Sequence, residues 1–242
     1  MRVRVLFFGQ LKEIVGREEE YAEVSDGTRL EDLFESYGRR YPRLAGFRQS
    51  VVASINESLA DWASPLAMGD EVAFLPPVSG GAGPAALRSS EAIVDLVRER
   101  IQAEEISARL KAPEDGAIVV FEGIVRNHSH GRRTLFLEYE AYEPMALKQM
   151  NEIATAMRRQ FDVDGIAIVH RLGRLEIGET SVLIAVTSAH RGEGFQACRY
   201  GIDTLKRSVP IWKKEYFEDG AVWAEGEMPP LPSNLPKPES MK

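Results

Sequence analysis

Cysteine is almost absent from this chain, which has a single one, Cys198, among its 242 residues. One cysteine can form neither an internal disulfide nor a cysteine-based zinc cluster. The sequence also lacks an apolar run long enough to span a membrane, and its first residues alternate instead of forming the apolar core of a signal peptide. We therefore expect a cytoplasmic protein with no membrane contact.

An excess of positive charge is missing as well, since the net charge is -7. Up to Gly81 the chain has 9 basic and 13 acidic residues, and after it 21 and 24. Both parts are thus mildly acidic, which argues against broad nucleic-acid binding. Hydrophobic residues make up 44% and charged residues 28%, values typical of a globular protein, and the length allows two small domains.

The first 75 residues predict a compact α+β unit of order β-β-α-β-β. Thr28 and Glu31 have the spacing of a helix capping box, in which each side chain satisfies a free backbone N–H. The apolar residues that follow at helical spacing are Leu30, Leu33, Phe34 and Tyr37. The predicted strands are residues 2–8, 20–24, 51–55 and 70–75, and Asn56 is a turn residue.

A distinctive stretch ends this unit, namely Leu75-Pro76-Pro77-Val78-Ser79-Gly80-Gly81. The prolines cannot continue a sheet interior, and the two glycines form a thread without side chains that can enter a narrow pocket. A plain linker is the competing interpretation, because small uncharged residues follow in 82–88. The predicted domains are 1–81 and 89–227, with a disordered proline-rich tail at 228–242.

The second domain predicts alternating helices and strands. One helix starts at Ser89 or Ser90 and carries Ile93, Leu96 and Val97. A helix begins at Pro144, and another has Phe195, Cys198, Ile202 and Leu205 on one face, where Cys198 is a core residue. The predicted strands are 117–125, which we expect to be buried, then 134–139, 166–170 and 181–187, and a closing hairpin is predicted over 211–217 and 221–225.

Side chains suited to chemistry gather in four short stretches of this domain. Arg126, His190 and Arg191 follow predicted strands and together could hold an anion, because arginine binds phosphate through a planar fork of donors. Lys206 lies near a helix end, and Pro210 could turn Lys213 back towards it. A neutral lysine is a nucleophile or base, whereas a charged one stabilises an oxyanion.

Structural interpretations compete with these functional ones. Arg199, Asp203 and Lys206 could form a row of ion pairs on a helix surface. His128 and His130 could bind a metal, but no carboxylate or cysteine completes a ligand set there, so we expect none. The His170-Arg171 dipeptide is interpreted as structural.

The order of elements and the Gly-Gly ending of the first domain resemble the small subunit of molybdopterin synthase, which has a ubiquitin-like β-grasp fold. The second domain resembles the large, catalytic subunit, which has an α/β hammerhead-type fold. Four motifs carry this second resemblance, and they are Phe121-Glu122-Gly123-Ile124-Val125-Arg126-Asn127-His128, Val169-His170-Arg171-Leu172-Gly173, Val186-Thr187-Ser188-Ala189-His190-Arg191, and residues 205–215.

The resemblance implies a sulfurtransferase that needs no metal or redox cofactor. A Gly81 thiocarboxylate would pass sulfur to cyclic pyranopterin monophosphate, forming the dithiolene of molybdopterin. Lys206 and Lys213 fall on the family's catalytic positions. The residues that fall on its substrate-binding positions are Ile124, Val125, Arg126, His190, Arg191, Lys214 and Glu215. The implied partners are a second copy of the catalytic domain and an adenylating enzyme that recharges Gly81 with sulfur.

The chain departs from the family in one respect, since Gly81 is bonded to Ala82 and has no free carboxylate. Two alternatives therefore stay open. In a non-enzymatic fusion, the first domain would be a docking module and Gly80-Gly81 a hinge. In another thiolation pathway, the first domain would be the sulfur carrier and the second its acceptor enzyme.

Overall fold

Residues 1–48, 50–76, 92–129 and 131–224 are described by a computed structural model of the chain. The predicted Gly80-Gly81 ending, the linker, the Ser89 or Ser90 helix cap, His130 and the proline-rich tail lie outside these ranges. The domain boundaries at 81 and 227 also fall outside them and stay predictions. No helix in the described ranges is long and apolar enough to cross a membrane.

The first domain is a β-grasp, with one long helix packed across a five-stranded sheet of order β2-β1-β5-β3-β4. β1 and β5 pair in parallel, and the other pairs are antiparallel. Its elements are β1 Arg2–Phe7, α1 Gly9–Val15, β2 Glu19–Glu23, α2 Leu30–Arg40, α3 Pro42–Ala45, β3 Val52–Ile55, β4 Ser58–Ala60 and β5 Glu71–Leu75. The predicted helix face is confirmed, because Leu30, Leu33, Phe34 and Tyr37 are all buried in the core.

The start of α2 differs from the predicted capping box by one residue. Arg29 occupies the N-cap, and its backbone N–H donates to the Asp32 carboxylate at 2.9 Å. The Thr28 hydroxyl instead donates to the carbonyl of Ser25, so it belongs to the preceding turn. The sequence pattern also missed α1, whose seven residues are too few to show a clear helical period.

The second domain has a four-stranded sheet of order β6-β10-β12-β7, with α5 and α6 packed on one face. A second sheet has the order β11-β9-β13-β14, and β8 pairs with β9. The elements are β6 Ile93–Val97, α4 Ala103–Leu110, β7 Ala117–Ile124, β8 His128–Ser129, β9 Arg132–Ala141, α5 Glu143–Gln160, β10 Ile166–Arg171, β11 Gly173–Glu176, β12 Thr180–Ser188, α6 Arg191–Ser208, β13 Ile211–Phe217 and β14 Gly220–Trp223.

Three predictions for this domain are wrong. The predicted helix through Ile93 and Val97 is instead strand β6, which pairs in parallel with β10. Five residues are too few for the spacing of apolar side chains to distinguish a helix from a strand. β7 is half-buried because it forms a sheet edge. Phe195 is 61% exposed, although the other three residues of its predicted face are buried.

The two domains pack against each other through the sheet face of the β-grasp opposite α2. Side chains alternate along β1 and β5, so Phe7 and Phe74 enter the domain core while Leu6 and Leu75 point away from it. That outer face joins one cluster with the second domain, made of Leu6, Val52, Ala73, Leu75, Tyr142, Met145, Trp212 and Trp223. We call this group the docking cluster.

Phe8 extends the docking cluster at its edge. Its ring stacks on Trp212 with a centroid distance of 5.1 Å and an interplanar angle of 15°, and it lies 5.1 Å from the ring of Tyr142. Polar contacts surround the cluster. Lys12 Nζ lies 3.0 Å from Glu140 Oε1, Lys214 forms an ion pair with Glu13, and the Tyr142 hydroxyl donates a hydrogen bond to Glu71. An apolar centre with a charged rim is typical of a specific protein interface.

Phe8→Ala should weaken docking without unfolding either domain, because the ring contacts the other domain and each domain has its own core. The loss of a stacked aromatic ring from the interface predicts about 2 kcal/mol weaker binding between residues 1–81 and 82–242, measured by calorimetry. Tyr21→Ala, which removes an exposed ring outside the cluster, is the control. Equal affinities for both variants would contradict this interface.

Candidate functional site

A cavity of about 920 Å³ opens in the second domain between the two sheets and the end of α6. Its wall includes residues from β7, β9, β10, β13 and β14. The polar and charged side chains in the wall are Arg126, His128, Ser129, Arg132, Thr134, Tyr139, His170, Ser181, Lys206, Lys213 and Glu215.

Lys206 and Lys213 both line the cavity, as the sequence predicted. Lys206 lies in the last turn of α6, and Pro210 cannot extend that helix, so the chain turns directly into β13. Pairing of β13 with β9 sets Lys213 opposite Tyr139, another residue of the wall. The helix end and the strand therefore bring two cations to one cavity.

Glu215 is the anionic side chain of the wall, and it binds Lys213. The Lys213 Nζ atom lies 2.6 Å from Glu215 Oε1, and Glu215 is 5% exposed. The two residues are two positions apart on β13, so their side chains lie on the same face of the strand. This ion pair holds Lys213 in place. Lys206, at the end of α6, is the other lysine of the cavity wall.

Arg126 and Ile124 also reach the cavity, at the end of β7. Two other predicted residues do not line it. Val125 is buried in a small cluster with Leu137 and Leu175. Lys214 points to the opposite side of β13, where it contacts Glu13 of the first domain.

His190 and Arg191 lie at the far end of α6 from the cavity. His190 is the N-cap of the helix, and both side chains are exposed. Arg191 precedes Lys206 by 15 residues, which corresponds to about 22 Å along an α-helix. Within one chain, the structure therefore does not bring these two residues to Lys206.

The sequence analysis assigned His170 a structural role, but its ring is part of the cavity wall. Its Nδ1 atom lies 2.9 Å from the Arg171 carbonyl, and the ring meets Tyr139 edge to face at 5.0 Å. Burial lowers the pKa of His170 to about 4, and the positive charge of Lys206 acts in the same direction. The imidazole is therefore neutral at neutral pH.

The balance of charge in the wall favours an anionic ligand. Four basic side chains, Arg126, Arg132, Lys206 and Lys213, line the same wall as one carboxylate, Glu215. Arg132 is also bound by Asp219 outside the wall. In the part of the chain that the structure describes, no three His, Cys, Asp or Glu side chains are grouped as a metal site.

Comparison with known proteins matches both domains. The family model of the MoaE protein matches residues 96–208, and that of the ThiS family matches residues 5–81. A molybdopterin synthase catalytic subunit from Nostoc is 50% identical over 49% of this chain and 72% of its own length. One from Arabidopsis thaliana is also 50% identical, over 48% of this chain, which spans 59% of that relative.

The crystal structure of molybdopterin synthase from Staphylococcus aureus covers 53% of this chain and 94% of its own, with 43% identity and a TM-score of 0.51. These matches agree with the two-domain architecture described above. The chain belongs to the molybdopterin synthase catalytic subunit family, and it carries a ThiS-family β-grasp domain ahead of its catalytic domain.

Proposed function

We propose that this enzyme is a sulfurtransferase, a molybdopterin synthase that contains its own sulfur carrier. In this proposal the carboxyl end of Gly81, charged as a thiocarboxylate, delivers sulfur to cyclic pyranopterin monophosphate in the cavity. The observation that carries the proposal is one hydrogen bond, from Trp212 Nε1 to the Pro76 carbonyl at 3.1 Å. Trp212 points to the docking side of β13, and Trp223 belongs both to the docking cluster on that side and to the cavity wall.

The distance from this anchor supports the proposal. Gly81 follows Pro76 by five residues, which span at most about 18 Å when extended. The last two of them are glycines, so the end of the tail has no side chain to exclude it from a narrow entrance. A tail that starts at the docking cluster, which shares Trp223 with the cavity wall, is thus long enough and thin enough to reach the cavity.

Each transfer would form a carbon–sulfur bond at a substrate carbon that bears oxygen, and the carbon–oxygen bond at that carbon breaks, so the oxygen leaves as water or stays on the phosphate. Gly81 is then still attached to the sulfur as an acyl group. Attack of water on the acyl carbon then breaks the acyl carbon–sulfur bond, so the sulfur stays on the substrate and Gly81 leaves as a carboxylate. Lys206 would stabilise the oxyanion of that step, because a fixed cation favours developing negative charge. A second charged carrier repeats the transfer to complete the dithiolene.

The substrate's phosphate would be held by Arg126 together with His190 and Arg191 from a second copy of the chain. β7 is an edge strand with exposed Val120 and Ile124, and such edges pair readily. The start of β7 lies opposite Ser188, which is close to the start of α6. The other end of β7 lies at the cavity. Antiparallel pairing of two β7 strands about a twofold axis would set His190 and Arg191 beside the other copy's cavity.

A non-enzymatic fusion, with the first domain as a docking module, explains the docking cluster but not the cationic cavity beside the Pro76 anchor. In the other alternative, the two domains are the sulfur carrier and the acceptor enzyme of another thiolation pathway. Experiment decides between that alternative and molybdopterin synthesis. The proposed partners are an adenylating enzyme that recharges Gly81 and a second copy of this chain. Recharging would require the docked first domain to leave the catalytic domain.

Lys206→Ala should reduce molybdopterin formation at least about 100-fold, the scale for the loss of one oxyanion stabiliser. Stability should change little, because Lys206 is exposed. Lys213→Ala should reduce the rate less. Lys111→Ala, which removes an exposed lysine outside the cavity, is the matched control.

Arg191→Ala should also inactivate the enzyme, and co-expression with Lys206→Ala tests the two-copy site. A mixed dimer would contain one cavity with both residues intact. A statistical mixture would then recover about a quarter of the wild-type rate through its mixed dimers. Normal activity of Lys206→Ala would reject the catalytic role, and a mixture without recovery would reject the two-copy site.

Cleavage after Gly81 should be required for activity, because an amide has no free carboxylate to adenylate. Small residues flanked by prolines surround the bond, a composition typical of accessible cleavage sites. Mass spectrometry of active enzyme should find pieces corresponding to 1–81 and 82–242. A Gly81 variant that resists cleavage should be inactive, and full activity of uncut protein would instead favour the docking-module alternative.

A further inference from the structure

His170 is a buried polar side chain of the cavity that the proposed mechanism does not use. It is 4% exposed, and it lies on the same face of β10 as the core residues Ile166 and Ile168. Its Nδ1 atom is 2.9 Å from the Arg171 carbonyl, which can only accept a hydrogen bond. Nδ1 therefore carries the proton, and Nε2 of the neutral ring is left with a free lone pair.

The Nε2 atom makes no hydrogen bond with any of the described residues, although the ring forms part of the cavity wall. Its neighbours have other bonds or the wrong geometry. Ser181 donates its hydroxyl proton to the Gly123 carbonyl at 2.9 Å, and Tyr139 meets the ring edge to face. A free imidazole lone pair at the cavity wall can accept a hydrogen bond from a donor placed in the cavity, so its partner is expected to come from a ligand there.

The chemistry of this acceptor selects one part of the ligand. Phosphate oxygens are acceptors and would be repelled by the Nε2 lone pair, so they are better placed on a cation such as Arg126. An N–H group of a nitrogen heterocycle has the opposite preference. Because the ring stays neutral at neutral pH, it keeps this acceptor under working conditions.

We propose that His170 is a further substrate-binding residue, whose Nε2 accepts a hydrogen bond from an N–H of the substrate's nitrogen heterocycle. This inference rests on the proposed function and adds an orientation to it. The heterocycle faces His170 while the phosphate faces the cations. The substrate is thereby held with one end fixed by charge and the other by a neutral hydrogen bond.

Two conservative variants separate this role from a structural one. In His170→Asn the side-chain amide can replace Nδ1 as donor to Arg171 but leaves no acceptor towards the cavity. In His170→Gln the amide oxygen can replace Nε2 while the bond to Arg171 is lost. We expect binding of cyclic pyranopterin monophosphate to weaken about tenfold in the Asn variant, the scale for one hydrogen bond, and much less in the Gln variant.

The reverse order, with the Asn variant binding normally and the Gln variant weakened, would show that His170 only supports the backbone and would overturn the inference. Inorganic phosphate should compete equally well for the wild type and both variants. If His170→Asn does not weaken pterin binding further in protein that already carries Lys206→Ala, His170 acts through Lys206. That result would also overturn the inference. Failure of the wild type to bind the pterin would instead refute the proposed function.

A measurement on the wild type covers the case in which a variant does not fold. In protein labelled with ¹⁵N-histidine, the Nε2 resonance of His170 should shift when the pterin substrate is added, because Nε2 gains a hydrogen bond. Inorganic phosphate alone should leave that resonance in place. A saturating pterin concentration that does not shift the resonance would contradict the inference.

Discussion

The hydrogen bond from Trp212 to the Pro76 carbonyl is the contact on which the functional arrangement depends. It fixes the end of β5 at the docking side of β13, where Trp223 belongs to both the docking cluster and the cavity wall. The docking cluster supplies the apolar contact that surrounds this bond. Because a charged rim encloses the cluster, the same surface can pack specifically and still separate in water.

The cavity wall is rich in basic side chains although the protein as a whole is acidic. The net charge is -7, yet the end of α6, the end of β7 and one face of β13 each direct a cation into one space. Glu215 pairs with Lys213 and is buried, which limits the repulsion between the cations. The neutral His170 adds an acceptor without adding charge, so the wall offers different chemistry to the two ends of a ligand.

Much of this arrangement could be predicted from sequence. Periodicity located α2, α5 and α6, and Pro210 correctly indicated that Lys213 follows a turn towards Lys206. Short elements were harder, since β6 and α1 contain too few residues for a period to decide between helix and strand. The place of His170 in the cavity wall was not predicted, because it depends on which residues face it across the fold. The sequence motifs also did not indicate that His190 and Arg126 lie apart within one chain, because motifs do not show which elements meet in space.

Transfer of labelled sulfur tests the central claim most directly. Residues 1–81 would be charged at Gly81 with ³⁴S thiocarboxylate and mixed with residues 82–242 and cyclic pyranopterin monophosphate, and both products analysed by mass spectrometry. This account predicts ³⁴S at both dithiolene positions and Gly81 recovered as an ordinary carboxylate. Label that stays on Gly81, or a dithiolene that contains unlabelled sulfur, would contradict it.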